Sequence, residues 1–281
     1  MPSSRTLALI TRADATAVDE AVAQLATLCS EAGVTLTLAE DERRKFPQLA
    51  ASAAAGDPRA ADVAVVLGGD GTTLRALRLL LGSGVPVLAV NFGRFGFLTT
   101  AERDDLAHAV RAAIAGEVRI DELPTVEVLR DGVRLGVAVN DVVVSGDQVG
   151  RIARLSWSVD GVSLGEIDCD ALVVTTPAGS TGYSLSAGGP VLEWGVDAFG
   201  VTFVAPHTLT SRPLVLPRGR TVEIATASDR GARLITDGDG EFRDLAAGEC
   251  VTVRMGPDHA RLALLPGVTF LQRYRDRFTV G

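Results

Sequence analysis

The chain has 281 residues, of which 47% are hydrophobic, and a net charge of −8; this allows one large or two ordinary domains with a sizeable core. Lysine and arginine form no dense block, which argues against non-specific binding to nucleic acid. Cys29, Cys169 and Cys250 form no C-x-x-C pair, a pattern typical of reduced thiols in a cytosolic protein. The first apolar stretch is too short for a signal peptide, and no run reaches transmembrane length. We therefore expect a cytoplasmic protein that binds no membrane.

Strand and helix signals alternate as far as Pro124. This rhythm predicts an α/β domain with a parallel, Rossmann-like sheet, whose ligands bind beyond the carboxyl ends of the strands. The alanine-rich segment Leu49–Ala55 is expected to be a helix or a mobile loop. The predicted strands are Leu7–Ile10, Val34–Leu38, Val63–Leu67 and Val85–Val90. The predicted helices are Ala17–Glu31, Thr72–Leu81 and one capped by Asp104 and Asp105, with Leu106, Val110 and Ile114 facing inward.

The segment Val63–Ala76, with the sequence VAVVLGGDGTTLRA, predicts a strand, a glycine turn and a helix. Glycines let backbone N–H groups approach a phosphate, and a helix N-terminus adds positive potential. Gly68, Gly69 and Thr72 are therefore predicted to bind phosphate. Asp70 would repel phosphate, so its place at the turn makes sense if it accepts the proton of a hydroxyl being phosphorylated, or helps to hold a metal.

Two alternatives remain open for this segment. The turn can be an ordinary tight connection in which Asp70 is the N-cap of the helix. Arg75 is the nearest cation; it is either a phosphate ligand or a solvated helix residue.

After Leu123-Pro124 the pattern changes to short alternating segments, which predict a mostly antiparallel β domain. Asp131-Gly132 and Asp160-Gly161 are typical hairpin turns. We expect domains at 1–122 and 123–256, and a segment at 257–281 that is either a helix packed back on the first domain or a solvated face. The predicted strands are Thr125–Arg130, Val133–Val139, Leu155–Val159, Leu172–Thr176, Val201–Ala205, Thr221–Ala225, Arg233–Thr236 and Cys250–Arg254.

A second glycine-rich segment, DALVVTTPAGSTGYSLSAGGP, spans Asp170–Pro190. Such a loop presents hydroxyl and N–H groups to a polar ligand, with the ring of Tyr183 for stacking. On its own it is equally typical of an ordinary Gly/Ser loop. Combined in order with GGDGTTLRA, NFGRFGFL, Asn140-Asp141 and APHTLTSRPLV, however, it closely resembles the NAD kinase family over residues 63–239.

The resemblance implies a kinase that uses ATP (or polyphosphate) to phosphorylate the 2′-hydroxyl of the adenosine ribose of NAD, forming NADP. Asp70 matches the family's catalytic base, and Gly71 a ligand-contacting glycine. Phe97 matches an aromatic residue beside the adenine. The remaining matches are nucleoside ligands: Asn140 and Asp141 for base and ribose, Asp170 for ribose, Thr181, Gly182, Tyr183, Ser184, Leu185 and Ser186 around the nucleoside, and Ala205 in the pocket wall.

The chain departs from the family pattern at several positions that bear on substrate contacts. Asp141 replaces the usual Glu, which puts a direct ribose contact in question, and Asp168 replaces a common Arg, which does the same for a phosphate contact. The other departures are Phe95 for Leu, Ala178 for Thr, Gly182 for Ala and Asp239 for Gln.

No His or Cys cluster indicates a resident transition metal, so the expected cation is Mg²⁺ or Mn²⁺ brought with ATP. The family also implies a homo-oligomer, a dimer or a tetramer. Two other functions stay open: a kinase of the same type that acts on another nucleotide, a lipid or a sugar, and a non-catalytic nucleotide sensor. The sensor predicts loss of the apical carboxylate, whereas Asp70 is present.

Overall fold

The computed structural model describes residues 5–93, 96–147, 152–227, 229–238 and 242–279. It contains two compact units. One comprises the residues up to Glu122 together with those from Ala260 onward, and the other comprises Leu123–His259.

The first unit is a parallel sheet flanked by helices. Its strands lie in the order β5-β4-β1-β2-β3, and every neighbouring pair is parallel. The elements of this part of the chain are β1 (Thr6–Thr11), α1 (Asp19–Glu31), β2 (Thr35–Leu38), α2 (Glu40–Lys45), β3 (Ala54–Ala55), β4 (Val63–Gly68), α3 (Asp70–Leu79), β5 (Val87–Asn91), β6 (Ala101–Glu102) and α4 (Leu106–Ala115).

Burial explains why these segments fold as they do. Every residue of β4 is buried, as expected for a central strand of a parallel sheet with helices on both faces. The inward stripe of α1 contains Val22, Leu25 and Leu28, all buried as the spacing predicts. Val18 is also buried, but it lies in a 3₁₀ turn before the helix. The carboxyl ends of β1, β4 and β5 meet at one edge, because Arg12 N–H donates to the Leu67 carbonyl (3.1 Å) and Phe92 N–H to the Gly68 carbonyl (2.9 Å).

The second unit contains two antiparallel sheets. One has the strand order β14-β13-β12-β9-β16-β17; the other includes β11-β10-β15-β18, with β7 and β8 as a hairpin. The elements that follow α4 along the chain are β7 (Arg119–Arg130), β8 (Val133–Ala138), β9 (Asp141–Gly146), β10 (Ala153–Val159), β11 (Val162–Cys169), β12 (Ala171–Thr175), α5 (Tyr183–Ser186), β13 (Ala198–Val204), β14 (Leu214–Pro217), β15 (Thr221–Thr226), β16 (Ala232–Thr236), β17 (Phe242–Leu245), β18 (Cys250–Leu264) and α6 (Phe270–Phe278).

The core of the second unit takes side chains from both sheets, for example Leu155 and Val222 from one, and Leu172 and Phe199 from the other. The two predicted Asp-Gly hairpins are present. Asp160 (φ 49°) and Gly161 (φ 76°) both adopt the left-handed conformation, which a type I′ turn requires. The predicted fold class, an α/β domain followed by a mostly antiparallel β domain, is confirmed.

Three local predictions are wrong. Leu49–Ala55 is neither a helix nor only a loop, because Ala54–Ala55 pairs with the end of β2 and edge pairing overrides the helix propensity of alanine. Asp104 and Asp105 lie in a 3₁₀ turn before α4, and the Asp105 side chain makes no cap hydrogen bond. The helix predicted at Thr72–Leu81 begins at Asp70 and ends at Leu79.

The C-terminal segment forms α6, which is part of the first unit. Thr269 and Gln272 form a capping box at its start, and Phe270 and Arg273 are buried. The segment thus contains a helix with two buried side chains, while its packing on the first domain as a separate segment stays a prediction. No helix in the described ranges is both long and apolar enough to cross a membrane.

Candidate active site

The glycine turn lies at the carboxyl edge of the first unit's sheet, where helix α3 begins directly after β4. A Cβ atom at Gly68 would lie 2.5 Å from the Thr72 hydroxyl oxygen, so packing requires glycine there. Gly69 and Gly71 differ: neither has a positive φ, and a Cβ at either would meet nothing within 4 Å. Glycine at these two positions therefore leaves open space beside Asp70 and the helix N-terminus, where an anion is favoured.

The Asp70 carboxylate is held by three consecutive backbone amides. Its Oδ2 accepts from Phe97 N–H at 2.8 Å, and its Oδ1 accepts from Leu98 N–H at 3.0 Å and Thr99 N–H at 3.3 Å. The N-cap of α3 is Gly69, without a side-chain cap bond. The interpretation of Asp70 as an ordinary N-cap is therefore wrong, because its side chain bonds a different loop.

Two arginines flank this turn. Arg75 is half exposed, and its Nη2 donates to the Thr11 carbonyl at 2.6 Å and lies 3.9 Å from the buried Glu42 carboxylate. Arg75 is therefore not a purely solvated helix residue, because its guanidinium also contacts protein groups. Arg12, which the sequence analysis did not select, donates from Nη1 to the Phe92 carbonyl at 2.9 Å. Arg12 follows directly after β1, and ligands of parallel sheets bind beyond the carboxyl ends of the strands, so its place in the sequence could have identified it.

The ring of Phe97 packs within the first unit. It is 5% exposed, and its centroid lies 6.1 Å from that of Phe270 and 5.6 Å from that of Phe278, both on α6. The family resemblance places this ring beside an adenine. In this structure, the ring anchors the loop to α6, and the Phe97 amide holds Asp70.

In the second unit, Asp237 binds its neighbours as Asp70 does. Its Oδ2 accepts from Val139 N–H (2.9 Å), and its Oδ1 accepts from Asn140 N–H (2.6 Å) and Asp141 N–H (3.1 Å). The φ of Asp237 is 54°, a conformation that Asp and Asn tolerate better than most residues. The sequence analysis missed this residue, although Asp237-Gly238 is a typical turn pair.

A cavity of about 390 Å³ lies against this anchored segment. Three of the predicted ligand residues line it, namely Asn140, Asp141 and Tyr183. The Oδ1 atom of Asn140 is buried and has no hydrogen-bond partner among the described residues, and a buried acceptor of this kind normally has a partner. The other lining residues are Val143, Ser145, Ile235, Asp237 and Gly238.

Asp141 has an unusual charge environment. Burial raises the pKa of its carboxyl group to about 7, and the neighbouring charge of Asp237 acts in the same direction. Near neutral pH this side chain therefore exists both as a hydrogen-bond donor and as an anion. Burial also raises the pKa of Tyr183, with smaller contributions from the charges of Asp170 and Asp141.

The second glycine loop docks on the same segment. Thr176 N–H donates to the Asn140 carbonyl at 2.8 Å, and the Thr176 hydroxyl donates to the Val139 carbonyl at 2.5 Å. A Cβ at Gly179 would lie 2.1 Å from the Asn140 carbonyl oxygen, so this close approach requires glycine. The loop thus fixes the backbone of Asn140 from one side while Asp237 fixes it from the other.

The cavity does not gather every predicted ligand residue. Ser184 is buried, and its hydroxyl lies 2.9 Å from that of Thr202. Ala205 is exposed with a φ of 45°. Gly71 and Phe97 belong to the first unit. The predicted residues of the second unit outside the cavity lining are Asp170, Thr181, Gly182, Ser184, Leu185, Ser186 and Ala205.

Among the departures from the family pattern, Asp168 forms a two-point ion pair with Arg154, with distances of 2.8 and 2.9 Å. The hydrogen bond from Arg154 lowers the pKa of the Asp168 carboxyl group. This pair borders a second cleft of about 780 Å³ in the same unit, which none of the predicted ligand residues lines. Ala178 is buried. Phe95 and Asp239 lie outside the described residues.

The family models match most of the chain. The ATP-NAD kinase N-terminal domain matches residues 7–118, and the ATP-NAD kinase C-terminal domain matches residues 139–265. An NAD kinase of Gemmatimonas aurantiaca is 39% identical over 78% of this chain and 78% of its own. An NAD kinase of Leifsonia xyli is 38% identical over 89% of this chain and 86% of its own.

Solved structures share the fold. A yeast NADH kinase complexed with NADH superimposes with a TM-score of 0.87 at 22% identity, over 99% of this chain and 89% of its own. An NAD kinase from Archaeoglobus fulgidus in complex with ATP gives a TM-score of 0.76 at 24% identity, over 97% of each chain. With both domain models matched and relatives near 38% identity, the chain belongs to the NAD kinase family.

Proposed function

We propose that this protein phosphorylates the 2′-hydroxyl of the adenosine ribose of NAD, with ATP as donor, and so forms NADP. Family membership supports the reaction class, and polyphosphate is an alternative donor. The observation that carries the mechanism is the fixed Asp70 carboxylate at an open glycine turn.

In this mechanism Asp70 is the catalytic base. An ionised carboxylate has about four acceptor positions, and three of those of Asp70 bind backbone amides. Since Oδ2 accepts only one of these bonds among the described residues, it keeps a position for the ribose O–H. The ribose oxygen then attacks the γ-phosphorus as its proton passes to Asp70, the bond to the β-phosphate oxygen breaks, and ADP leaves.

The other predicted residues bind and position. Gly68, Gly69, Gly71 and Thr72 offer backbone N–H groups to the phosphates, and Arg75 adds positive charge. We propose that Asn140, Asp141 and Tyr183 contact the nucleoside, because they share the cavity of the second unit. Phe97 and the predicted residues outside that cavity, listed above, remain proposed ligands. We assign the phosphate chemistry to residues 1–122 and acceptor binding to residues 123–256.

The cation in this proposal arrives with ATP. No group of three His, Cys, Asp or Glu side chains in the described ranges is arranged to hold a metal ion. Mg²⁺ binds mainly through substrate phosphates and water in such sites. The ion supplies charge neutralisation at the phosphates. We further propose a cytoplasmic homo-oligomer, a dimer or a tetramer, which sedimentation analysis would test.

The assay combines the protein with ATP, Mg²⁺ and NAD, and detects NADP with a dehydrogenase that accepts only NADP. We expect ATP-dependent NADP formation that EDTA abolishes. In parallel reactions, diacylglycerol, a hexose or a second nucleoside replaces NAD as the acceptor. ADP release with one of these but not with NAD would contradict the proposal, and binding of NAD without turnover would indicate a sensor.

A further inference from the structure

Arg273 is buried on a helix whose neighbouring basic residues are exposed. It is 7% exposed, whereas Arg275 and Arg277 of the same helix α6 are exposed. Burial lowers the pKa of Arg273, opposed by the charges of Glu102, Asp70 and Asp276. Because a guanidinium stays protonated in proteins, a full positive charge lies inside the first unit. A buried charge of this kind is costly unless it is well bonded.

One hydrogen bond of Arg273 goes to a peptide group that also binds Asp70, the proposed base. Its Nη1 donates to the Gly96 carbonyl at 3.0 Å, and the next atom group along the chain, Phe97 N–H, donates to Asp70 Oδ2 at 2.8 Å. The C=O and N–H belong to one planar peptide group. Arg273 and Asp70 therefore bind the two ends of the same peptide, and each bond polarises the other.

The peptide has little freedom to move. A Cβ at Gly96 would lie 2.0 Å from Asp70 Oδ1, so the loop backbone passes directly against the carboxylate. The ring of Phe97 contacts Phe270 and Phe278, which lie on α6 on either side of Arg273 in sequence. Helix α6 thus holds the loop through a polar contact and an aromatic contact.

We propose that Arg273 is a positioning residue for phosphoryl transfer. It fixes and polarises the peptide between residues 96 and 97, which in turn orients the Asp70 oxygen that receives the proton. This inference rests on the proposed function. It assigns to the C-terminal helix a part in the chemistry that the sequence motifs do not indicate.

The test is a double-mutant cycle between Arg273→Gln and Asp70→Asn, with Arg275→Gln as the control on the same helix. We expect Arg273→Gln to lower kcat by about 10- to 100-fold, the size of effect that a small misplacement of a reacting group produces. The KM for NAD should change less than about twofold, since Asn140, Asp141 and Tyr183 lie in the second unit and the Phe97 ring keeps its contacts with Phe270 and Phe278. In the Asp70→Asn background, the same substitution should cost less than about threefold, because its target is already lost.

Calorimetric titration with NAD reports the fraction of folded, binding-competent protein in each sample. Arg273→Lys keeps the positive charge and can still donate a hydrogen bond, so it should recover part of kcat. The same variant replaces Arg273→Gln in the cycle if Arg273→Gln fails to fold. Equal losses of kcat in both Asp70 backgrounds, or a loss matched by a lower binding stoichiometry, would overturn the inference. If instead wild-type protein makes no NADP, the proposed function itself fails. If wild type makes NADP but Asp70→Asn keeps its turnover, the proposed role of Asp70 as the base fails while the function stands.

Discussion

Asp70 in the first unit and Asp237 in the second bind a backbone segment in the same way. Each is a carboxylate that accepts three hydrogen bonds from consecutive backbone amides of a neighbouring loop, residues 97–99 in one case and 139–141 in the other. Charge-assisted bonds of this kind are stronger than neutral ones. Each aspartate therefore fixes a loop that local secondary structure does not fix.

The surroundings of the two carboxylates differ. The charge of Asp70 faces the buried cation Arg273, and the glycines beside it leave open space. The charge of Asp237 faces a second carboxyl group, Asp141, whose pKa is raised mainly by burial and further by this charge. The same hydrogen-bond pattern thus places one carboxylate beside an open ligand space, and places the other beside Asp141, whose pKa is raised to about 7.

The largest expected effect comes from Asp70→Asn. It removes the proposed base and should lower kcat by about 10²–10⁴-fold, the usual size of a general-base contribution. The amide NH₂ would also face one N–H donor, at a cost of about 1–3 kcal/mol in the free energy of unfolding. Steady-state kinetics and urea denaturation separate the two effects. Near wild-type kcat would reduce Asp70 to an anchor like Asp237.

Asp141→Asn should change the pH dependence of stability. The folded-state pKa of about 7 lies above the ordinary value of 3.8, so the folded protein holds a proton that the unfolded chain releases. The contribution of protonated Asp141 to the free energy of unfolding is therefore fully present below pH 4. It is lost as the pH rises to 7, by up to about 4 kcal/mol.

Urea denaturation at pH 5 and pH 8 measures this dependence. The wild-type free energy of unfolding should fall with pH relative to that of Asp141→Asn. Asp237→Asn should reduce the slope, because it removes the second cause of the shift. Parallel pH profiles for wild type and Asp141→Asn would contradict the pKa assignment.

Gly96→Ala tests how tightly the first loop contacts its carboxylate. The added methyl group cannot lie 2.0 Å from Asp70 Oδ1, so either the loop or the carboxylate must move. We expect kcat to fall on the order of 10²-fold, as for other small misplacements of reacting groups. Gly195→Ala is the control, since a Cβ there meets nothing within 4 Å. Equal activity of the two variants would show that the contact is not needed.

Asp237→Asn tests the anchor in the second unit. Asn tolerates the positive φ at this position but replaces one acceptor oxygen with a donor, so the segment with Asn140 and Asp141 should loosen. We expect NAD affinity to fall by about 10-fold, or 1.4 kcal/mol, with kcat at saturating NAD within threefold of wild type. Calorimetric titration gives the affinity. An unchanged dissociation constant would remove this segment from the acceptor site.

The smallest effect is expected for Asp141→Glu, which restores the residue common in the family. If Asp141 reaches the ribose through water, the longer side chain should bond it directly and tighten NAD binding by about 0.5–1.5 kcal/mol. If the pocket has contracted around Asp, the extra methylene will weaken binding by a similar amount. Titration with NAD decides, and no change would mean that this side chain does not touch the acceptor.

The sequence predicts the periodic parts of this molecule well. Apolar runs such as Val63–Leu67 and the Asp-Gly hairpins depend on local chemistry, and these predictions match the structure. The strand Asp141–Gly146 was missed because its valines are buried on both faces of a central strand and show no alternation.

The candidate site was predicted less completely, for a physical reason. The glycine turn is local in sequence, so Asp70 can be selected from the chain alone, whereas Asn140 was selected only through the resemblance to the NAD kinase family. Asp237 acts on residues that are 96 to 98 positions away, and Arg273 acts on Gly96 across 177 positions. Partners so far apart in sequence cannot be predicted from a local pattern, because only the fold brings them together.

The most direct test of the division between the two carboxylates is the single-turnover rate of phosphoryl transfer at saturating NAD and ATP, measured for Asp70→Asn and Asp237→Asn in parallel. Saturation removes the binding defect and leaves the chemical step. Asp70→Asn should be slower than wild type by about 10²–10⁴-fold, and Asp237→Asn should lie within about threefold of it. Similar rates for the two variants would contradict the account, because both carboxylates would then serve as anchors or both would act in the chemical step.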